Sequence, residues 1–346
     1  MVNKIKKNID QELSKFIKFI DKKYKFSKIS PPLYKSLTNF LSRDGKRIRP
    51  LLFVIAYKGF SNKLPRNLYL SALAIELLHC FLLIHDDILD NSDIRRGKPA
   101  MHILINNYIN PNIKTESSGM ALALVAGDII YALAIEAFIS MDEFPERKQK
   151  ALSKFIESGF FTGCGEFMEI VNSKKPISEI RRSEIYRTYD FKTAYYTFTA
   201  PLVTGAILAG AKDAEIKNLL KFSKYCGQAF QIKDDITGIF ADVKQTGKSN
   251  FTDLKEGKKT LLIWYAYKHA HPKDKLRLKT ILSKGKICAK DIIDTRRILQ
   301  ETGSLNYCLN QVKNLINQSI LALKTSRLKN IYKQELINYC QQILSL

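Results

Sequence analysis

Apolar residues recur at the spacing of an α-helix along nearly the whole chain, and this pattern limits the fold more than any other feature. Near the N-terminus, Ile5, Ile9, Leu13 and Phe16 follow the i, i+3, i+4, i+7 rule, which predicts an amphipathic helix over about 3–24. The sequence contains no segment of strict apolar and polar alternation that would require a strand. An all-α protein is therefore predicted.

Turn-forming residues divide this pattern into separate helices. Pro31-Pro32, and later Gly97 and Pro99, interrupt the helical spacing, and residues 106–118 are predicted to form an exposed loop. No internal repeat and no Pro/Gly/Ser-rich linker marks a domain boundary. Further helices are predicted at 51–60, 70–90, 119–141, 145–172, 178–196, 200–210, 214–241, 258–270, 274–283, 289–301 and 304–345.

Composition excludes several classes of protein. The 346 residues are 45% hydrophobic, which is too apolar for a disordered chain, and they carry a formal net charge of +23. Such a charge favours anionic partners such as nucleic acid, acidic membrane surfaces or phosphorylated substrates, although scattered lysines are also typical of a solvated helical surface. A nucleic-acid binder would need a clustered basic face, so no nucleic-acid partner is predicted.

The cysteines and the N-terminus indicate a cytoplasmic protein. The six cysteines are widely spaced and form no Cys-x-x-Cys pair, which argues against a zinc cluster or a disulfide scaffold. The first residues lack the apolar stretch of a signal peptide. Residues 120–141 are long and apolar enough to span a membrane, but Asp128 and Glu136 lie inside the run. A buried helix beside a polar site is therefore predicted there.

The acidic string DDILD is the strongest local signal of function. Asp86 and Asp90 are four residues apart at a helix end, so their Cβ atoms lie about 5–6 Å apart on one face. Carboxylates stacked at a helix C-terminus oppose one another and the helix dipole unless a cation compensates. Oxygen ligands without Cys or His favour Mg²⁺. A solvated acidic helix end is the alternative interpretation.

A second acidic pair, Asp234-Asp235, ends another apolar helix, and Gln231 precedes it by about one turn on the same face. If the two acidic helix ends face one another, they form a cage for Mg²⁺ ions that bridge a polyphosphate. Cations that would bind such an anion occur in separate short clusters, although a lysine-rich chain also yields basic pairs by chance. These clusters are Lys46 with Arg49, Arg95 with Arg96, Lys192 beside Thr193, and Lys248 in TGK.

The order of these motifs closely resembles the trans-isoprenyl diphosphate synthases, also called polyprenyl synthetases. The resemblance runs from residue 45 to residue 260 and rests on six ordered elements. They are GKRIRP at 45–50, AIELLHCFLLIHDDILDNSDIRRGKP at 74–99, AGD at 126–128, FKTA at 191–194, GQAFQIKDDITGIFAD at 227–242, and TGK with DLKEGK at 246–258.

The resemblance implies a fold and an activity. A single all-α domain over 1–346 is expected, with long helices around a deep central cavity, a motif-bearing core at about 40–270 and C-terminal helices at about 271–346. The reaction is expected to condense isopentenyl diphosphate with an allylic diphosphate by ionisation, condensation and elimination, with Mg²⁺ as cofactor and three ions when diphosphate is bound. A homodimer is expected, with transient contact with membrane surfaces because the products are lipids.

The family's functional positions carry over onto this sequence. Asp86 and Asp90, supported by Asp87, would bind Mg²⁺, and Asp234, with Asp235 beside it, would bind a third ion. Residues expected to bind the allylic diphosphate are Arg95, Lys192 and Lys248, with Lys258 as a further substrate-binding candidate. Residues expected to bind the diphosphate of isopentenyl diphosphate are Lys46, Arg49, His79 and Arg96. Thr193 and Gln231 would line the developing allylic cation.

Product length is expected to depend on what blocks the growing chain below the first acidic motif. Phe81 lies five residues before Asp86, at the position that is bulky in short-chain synthases, and Leu82 points down the same groove. No insertion interrupts DDILD. This pattern most resembles geranylgeranyl (C20) synthases, with farnesyl (C15) synthases second.

Two motifs depart from the family pattern. Gly238 stands where a third acidic residue often follows Asp234, and Gly is a known variant at this position. The frequent Gly-Gln-x-x-Asp is replaced by Gly165-Glu166-Phe167-Met168-Glu169, so that Glu166 takes the place of a neutral amide. The roles of Glu166 and Glu169 are left open by the sequence.

Other functions make different demands on the sequence. A terpene cyclase of the same fold would show an Asn/Asp-x-x-x-Ser-x-x-x-Glu-like second metal motif, which DDITGIFAD lacks. A non-catalytic partner subunit would not need both acidic motifs. His85-Asp86 resembles the His-Asp pair of metal phosphohydrolases, but the other histidines lie outside any matching spacing, so His85 is expected to be structural.

Overall fold

The computed structural model describes residues 1–109, 115–240 and 252–345, and it confirms the all-α class. Within these residues the strands are limited to an antiparallel hairpin of β1 (Ile94–Arg95) and β2 (Lys98–Pro99). The helices before residue 175 are α1 (Val2–Tyr24), α2 (Phe26–Ile29), α3 (Pro31–Leu41), α4 (Ile48–Phe60), α5 (Leu68–Leu89), α6 (Met101–Tyr108), α7 (Glu116–Ile139) and α8 (Pro145–Lys174). The later ones are α9 (Arg182–Thr188), the π-helix π1 (Tyr189–Thr199), α10 (Ala200–Leu208), α11 (Asp213–Phe240), α12 (Thr252–Lys255), α13 (Leu261–His269), α14 (Pro272–Leu282), α15 (Ala289–Glu301), α16 (Ser304–Lys324) and α17 (Asn330–Ser345).

Two compact units make up the chain. The first unit contains Met1–Lys154 and Pro201–Ala211, and the second contains Phe155–Ala200 and Lys212–Leu346. The single domain expected over 1–346 and the deep central cavity both stay predictions. Each unit has a core of its own, and each carries one of the two acidic motifs.

In the first unit, α5 is the central helix and packs against α1, α4 and α7. Its residues are buried on nearly every side as far as Cys80, which explains why its sequence is apolar without a clear stripe. Gly205 of α10 lets that helix approach α4 closely, because a Cβ at this position would lie 2.4 Å from the carbonyl oxygen of Phe53. These contacts fix the end of α5 that carries the first acidic motif.

In the second unit, α11 packs against α16 on one side and π1 on another. Two glycines allow helices to approach π1. A Cβ on Gly165 of α8 would lie 2.3 Å from the backbone nitrogen of Lys192, and a Cβ on Gly227 of α11 would lie 2.4 Å from the Cβ and 2.5 Å from the Cα of Ala194. The backbone of π1 is therefore packed closely against α8 and α11. Short π-helical segments frequently occur at functional sites.

Several elements differ from the predictions. Residues 106–108 belong to α6, because Met101, His102, Leu104 and Ile105 bury one face of a short helix. Residues 110–114 of the predicted loop lie outside the described residues. The predicted helix at 178–196 is instead α9 followed by π1.

The helix predicted at 304–345 is broken between α16 and α17. The break is stabilised by the buried Glu215, whose carboxylate accepts hydrogen bonds from the Ser326 hydroxyl at 2.7 Å and the Arg327 backbone N–H at 3.0 Å. A distant partner thus replaces the helical hydrogen bonds that would otherwise continue.

Candidate active site

Asp86 and Asp90 lie at the C-terminal end of α5, as their spacing predicts. The backbone N–H of Asp90 donates to the carbonyl of Asp86 at 2.9 Å and ends the helix. The Asp86 side chain keeps 23% of its exposure, whereas Asp87 is fully buried. The first acidic motif thus has carboxylates of two kinds, Asp86 and Asp90 towards solvent and Asp87 towards the core.

The β1–β2 hairpin returns Arg95 to this acidic helix end. Its guanidinium donates to Asp87 at 2.7 Å and to Asp86 at 2.9 Å. Burial lowers the pKa of Arg95, but the bonds and charges of these two carboxylates raise it overall. Arg43 holds the hairpin by donating to the carbonyls of Arg95 at 3.3 Å and Pro99 at 2.8 Å. Arg95 therefore compensates the acidic charge that the helix dipole opposes.

GKRIRP includes the turn of chain at 45–47 that leads into α4, and Arg47 anchors it. This residue has a left-handed backbone with φ of 48° and is nearly inaccessible to solvent. Its guanidinium donates to Glu76 at 2.7 Å and to Asp10 at 3.0 Å. Lys46 is exposed beside it, and Arg49 is half-buried at the start of α4. Sequence reasoning missed the anchoring role of Arg47, since it stands among other cations.

Arg49, Arg96 and His79 form a basic cluster next to this turn. His79 is 8% exposed, and its pKa is held well below the usual value, first by burial and then by the positive charges of Arg49 and Arg96. Arg96 lies 3.6 Å from Glu76. A Cβ on Gly45 would lie 3.0 Å from the Arg96 guanidinium, so the turn and Arg96 are neighbours. The neutral imidazole and the two guanidinium groups are suited to binding an anion.

Phe81 belongs to a small aromatic cluster on α5 and α7. Its ring centroid lies 5.1 Å from that of Tyr131 and 4.5 Å from that of His85. A His85 ring nitrogen lies 3.0 Å from the Phe81 carbonyl oxygen, and the imidazole fits over Gly127, where a Cβ would lie 2.5 Å from it. The contacts of His85 agree with the expected structural role. Tyr131 was not among the predicted residues, because its link to Phe81 depends on how α5 and α7 pack.

The second acidic motif also has one outward and one inward carboxylate. Asp234 is exposed on α11, whereas Asp235 is buried. Asp235 accepts hydrogen bonds from the Tyr189 hydroxyl and from the Gln231 side-chain amide, the latter at 2.8 Å. The sequence carried a signal of this difference, since Asp235 continues the buried spacing of Gln228 and Ile232 on α11.

A continuous hydrogen-bond chain passes through the two residues expected to line the allylic cation. The Thr193 hydroxyl donates to the side-chain oxygen of Gln231, whose amide nitrogen donates to Asp235. Because a carboxylate only accepts hydrogen bonds, Asp235 fixes the orientation of the Gln231 amide. The side-chain oxygen of Gln231 is thereby directed towards the Thr193 hydroxyl.

Lys192 and Lys258 are held by carboxylates. The Lys192 ammonium group contacts Glu169 and lies 2.9 Å from Glu166. Lys258 lies 2.8 Å from Glu256 and 3.5 Å from Glu169. The structure therefore brings these two predicted lysines into one charged cluster of the second unit. Lys248 lies outside the described residues, and its predicted role stays a prediction.

The acidic motifs fit a magnesium ion that is held partly by substrate. Among residues 1–109, 115–240 and 252–345, no three His, Cys, Asp or Glu side chains form a ready-made metal site. Mg²⁺ is usually bound by one or two carboxylates, several waters and substrate phosphates rather than by an all-protein cage. Asp86 with Asp90 in the first unit, and Asp234 in the second, supply accessible carboxylates of this kind.

The polyprenyl synthetase family model matches residues 30–299. This chain belongs to the polyprenyl synthetase family. The match covers both acidic motifs and the GKRIRP turn, so the predicted family, all-α fold class and prenyltransferase class are confirmed. Prenyl synthases generally use Mg²⁺, as expected.

Relatives of known function differ in their products. The chain is 31% identical over 295 residues to a geranylgeranyl diphosphate synthase of Sulfolobus acidocaldarius, covering 85% of this chain and 84% of the relative. It is 32% identical to the enzyme of the same name from Methanosarcina mazei, covering 82% and 79%. It is also 30% identical to an octaprenyl diphosphate synthase of Escherichia coli, covering 82% and 81%. Overall likeness therefore does not fix the length of the product.

Solved structures show the same fold. A geranylgeranyl pyrophosphate synthetase of Pyrococcus horikoshii superposes with a TM-score of 0.83 at 28% identity, covering 100% of this chain and 98% of the other. A geranylgeranyl pyrophosphate synthase of Corynebacterium glutamicum, complexed with isoprenyl diphosphate and magnesium, superposes with a TM-score of 0.91 at 24% identity, covering 99% of both chains. At that identity the second likeness supports the fold alone.

Proposed function

We propose that this protein condenses isopentenyl diphosphate with an allylic diphosphate to make a short-chain all-trans prenyl diphosphate, with geranylgeranyl diphosphate (C20) as the expected product and farnesyl diphosphate (C15) second. The observation that carries the proposal is the basic cluster of Arg49, His79 and Arg96, in the same unit as the first acidic motif but built from other side chains. An enzyme that handles one diphosphate does not need two such sites.

The basic cluster is proposed to bind the diphosphate of isopentenyl diphosphate. Arg49 and Arg96 supply guanidinium groups, exposed Lys46 adds an ammonium group, and His79 contributes an uncharged imidazole. Arg47 holds the turn rather than the substrate, because its guanidinium is buried against Glu76 and Asp10. The neutral state of His79 reduces repulsion inside the cluster.

The acidic motifs are proposed to hold Mg²⁺ and, through it, the allylic diphosphate. Asp86 and Asp90 would be ligands of the first motif, and Asp234 would be the ligand of the second. When bound, Mg²⁺ stabilises the negative charge that grows on the departing diphosphate. The prediction that three ions bind, and that both motifs serve one diphosphate, stays a prediction. Lys192, Lys248, Lys258 and Arg95 are proposed to add positive charge to this diphosphate.

Asp87 and Asp235 were both predicted as metal ligands, and their contacts favour another role. Asp87 holds Arg95, and Asp235 holds Gln231 and Tyr189, all in buried surroundings. We therefore assign them to positioning the residues around the ligands, and metal binding by Asp87 or Asp235 stays a prediction to be tested.

The residues around Thr193 and Gln231 suit a reaction through a carbocation. The allylic carbon–oxygen bond breaks and both electrons leave with the diphosphate. The isopentenyl double bond attacks the resulting cation to form the new carbon–carbon bond, and a proton then passes to the released diphosphate. The oxygens of Thr193 and Gln231, fixed by Asp235, stabilise the cation by a preorganised dipole. Water must be excluded, since it would trap the cation.

The aromatic pair of Phe81 and Tyr131 is proposed to limit chain growth. Both side chains are half-buried. Phe81 lies on α5 five residues before Asp86, and Leu82 is its neighbour in the sequence. Two rings in contact resist displacement better than one ring alone, because moving either disturbs the other. This arrangement supports a short product over a long one.

A homodimer in the cytoplasm is proposed as the state of the protein. Both α5 and α7 are apolar and long enough to span a membrane, but α5 is mostly buried. On α7, Leu122, Leu124, Val125 and Ile139 remain 40–54% exposed, and a second copy of the chain would cover them. All six thiols are free, as expected in a reducing compartment. The charge of +23 supports transient contact of the dimer with anionic membranes.

Incubating the purified protein with Mg²⁺, labelled isopentenyl diphosphate and each allylic primer tests the proposal. The dephosphorylated alcohols are then sized, and C20 is expected as the main product. Label that enters no product with any primer contradicts the proposal. Cyclic hydrocarbon made without isopentenyl diphosphate would indicate a terpene cyclase, and activity that appears only with a homologous subunit would indicate a non-catalytic partner. Light scattering during gel filtration measures the oligomeric state.

A further inference from the structure

Glu166 and Glu169 are three residues apart on α8, so they lie on one face of the helix. Both contact the ammonium group of Lys192, and the three side chains keep only 19–20% of their exposure. The proposed prenyl transfer assigns Lys192 to the allylic diphosphate but gives no role to these carboxylates.

Carboxylates lie beside the lysine that is proposed to bind the allylic diphosphate. Lys258 joins this charged cluster through Glu169 at 3.5 Å and Glu256 at 2.8 Å. Among the described residues, Lys192 therefore has two carboxylates beside it in partly buried surroundings. In such surroundings charges are less screened than at an open surface. A diphosphate that approaches Lys192 without a cation is repelled by the carboxylates that hold the lysine.

The geometry of the Glu166–Lys192 pair is fixed by the backbone. Gly165 brings α8 against π1, since a Cβ there would lie 2.3 Å from the backbone nitrogen of Lys192. Glu166 directly follows Gly165, so its carboxylate lies close enough to pair with the Lys192 ammonium group. Glu169 is shared with Lys258, and changing it would disturb two lysines. Substituting Glu166 is therefore the more specific way to test the role of a carboxylate beside Lys192.

We propose that Glu166 is a positioning residue that sets the affinity for the allylic diphosphate: its carboxylate holds Lys192 in place and opposes a diphosphate that arrives without Mg²⁺. This inference rests on the proposed function. Glu166 acts through Lys192 and through its charge, and it forms no bond in the reaction.

Glu166→Gln separates these two effects. The amide oxygen still accepts a hydrogen bond from Lys192, but the negative charge is gone. We expect the variant to keep kcat within about twofold and to lower KM for the allylic diphosphate about threefold to tenfold, with KM for isopentenyl diphosphate unchanged. Glu166→Ala also loses the acceptor, so its kcat is expected to fall about tenfold, and the amide restores it.

Calorimetric titration with inorganic diphosphate gives a readout that does not depend on turnover. Without Mg²⁺, Glu166→Gln is expected to bind diphosphate several-fold more tightly than the natural protein, and the difference is expected to shrink with saturating Mg²⁺. Glu179→Gln removes an exposed carboxylate from the same unit and is the matched control, expected to behave as the natural protein.

The outcomes separate this inference from the proposed function. An inactive natural protein overturns the proposed function. An active natural protein whose Glu166→Gln variant binds diphosphate and allylic substrate like Glu179→Gln overturns the role of Glu166. Equal changes in KM for both substrates also overturn it, because the inference confines the effect to the diphosphate held by Lys192.

Discussion

The Tyr189 hydroxyl joins Asp235 to the start of α13, since it donates to the Asp235 carboxylate and accepts the backbone N–H of Leu261 at 2.8 Å. Burial, followed by the charge of Asp235, raises the pKa of Tyr189 well above its usual value. The hydroxyl therefore keeps its proton and acts as a permanent donor. Asp235 in turn orients Gln231, so a tyrosine outside the sequence motifs supports a residue that is proposed to stabilise the allylic cation.

Tyr189→Phe is expected to reduce both stability and turnover. The buried Asp235 and the Leu261 N–H each lose a hydrogen bond, so the free energy of unfolding should fall by about 1–3 kcal/mol. Because Gln231 is then held less firmly, kcat should fall about tenfold, with KM for isopentenyl diphosphate unchanged. Chemical denaturation and steady-state kinetics measure the two effects.

Tyr186→Phe is the matched control for this prediction, because its hydroxyl contacts Gln311 near the surface. Tyr186→Phe should lower the free energy of unfolding by at most about 1 kcal/mol and leave kcat unaltered. A Tyr189→Phe variant as active as Tyr186→Phe would contradict the assigned support of Gln231.

Adjacent carboxylates of the second motif are expected to respond differently to substitution. Asp234 is exposed, so Asp234→Asn should raise the Mg²⁺ concentration needed for half-maximal activity about tenfold or more. Asp235 is buried against Tyr189 and Gln231, so Asp235→Asn should lower kcat with little change in the Mg²⁺ requirement.

Magnesium titrations of initial rate distinguish these two cases. Each variant is compared with the natural protein at saturating substrate concentrations. A rise in the Mg²⁺ requirement of Asp235→Asn that equals the rise for Asp234→Asn would show that Asp235 is a metal ligand after all.

Local spacing was enough to predict most of the helices and the shared helix face of Asp86 and Asp90. The apolar stripe of α1 is confirmed, because Ile5, Ile9, Leu13 and Phe16 are all buried. Asp86 and Asp90 could be placed on one helix face because the i, i+4 rule depends only on the geometry of a single helix. The buried face of a single helix, and the residues that share a face, can thus be predicted from the sequence.

The roles of residues that contact a partner distant in the sequence could not be predicted from local spacing. Arg47 and Glu76 pair across 29 positions, and Tyr189 and Asp235 pair across 46. Arg47 was one cation among several, and only its partner shows that it is structural. The π-helix is similar, because its backbone is set by close packing against Gly165 and Gly227 rather than by its own residues.

Replacing Phe81 is expected to lengthen the product. Phe81→Ala removes the ring that meets Tyr131 at 5.1 Å and leaves space below the first acidic motif. The main alcohol should gain one or more C5 units, which reversed-phase separation of the dephosphorylated products measures. Tyr131→Ala should act in the same direction, and the double variant should be non-additive because the two rings are in contact.

Phe144→Ala is the matched control, since Phe144 is a largely exposed ring of the same unit. Its products should keep the natural length. An unchanged product distribution for Phe81→Ala would show that another residue limits chain growth.

His79 should make the folded protein sensitive to acid. Its pKa in the fold lies well below the ordinary value of 6.5, first because it is buried and then because Arg49 and Arg96 repel a further positive charge. Between the two pKa values the unfolded chain binds a proton that the folded chain does not, so stability rises with pH. The contribution of neutral His79 to the free energy of unfolding is complete above about pH 6.5, and it is lost as the pH falls towards the lowered pKa of the folded protein. Chemical denaturation at about pH 5 and about pH 7.5 measures the free energy of unfolding at each pH. The difference between the two values should be smaller for His79→Gln than for the natural protein. His271→Gln removes an exposed histidine and should keep the natural difference, so equal behaviour of the two variants would contradict the prediction.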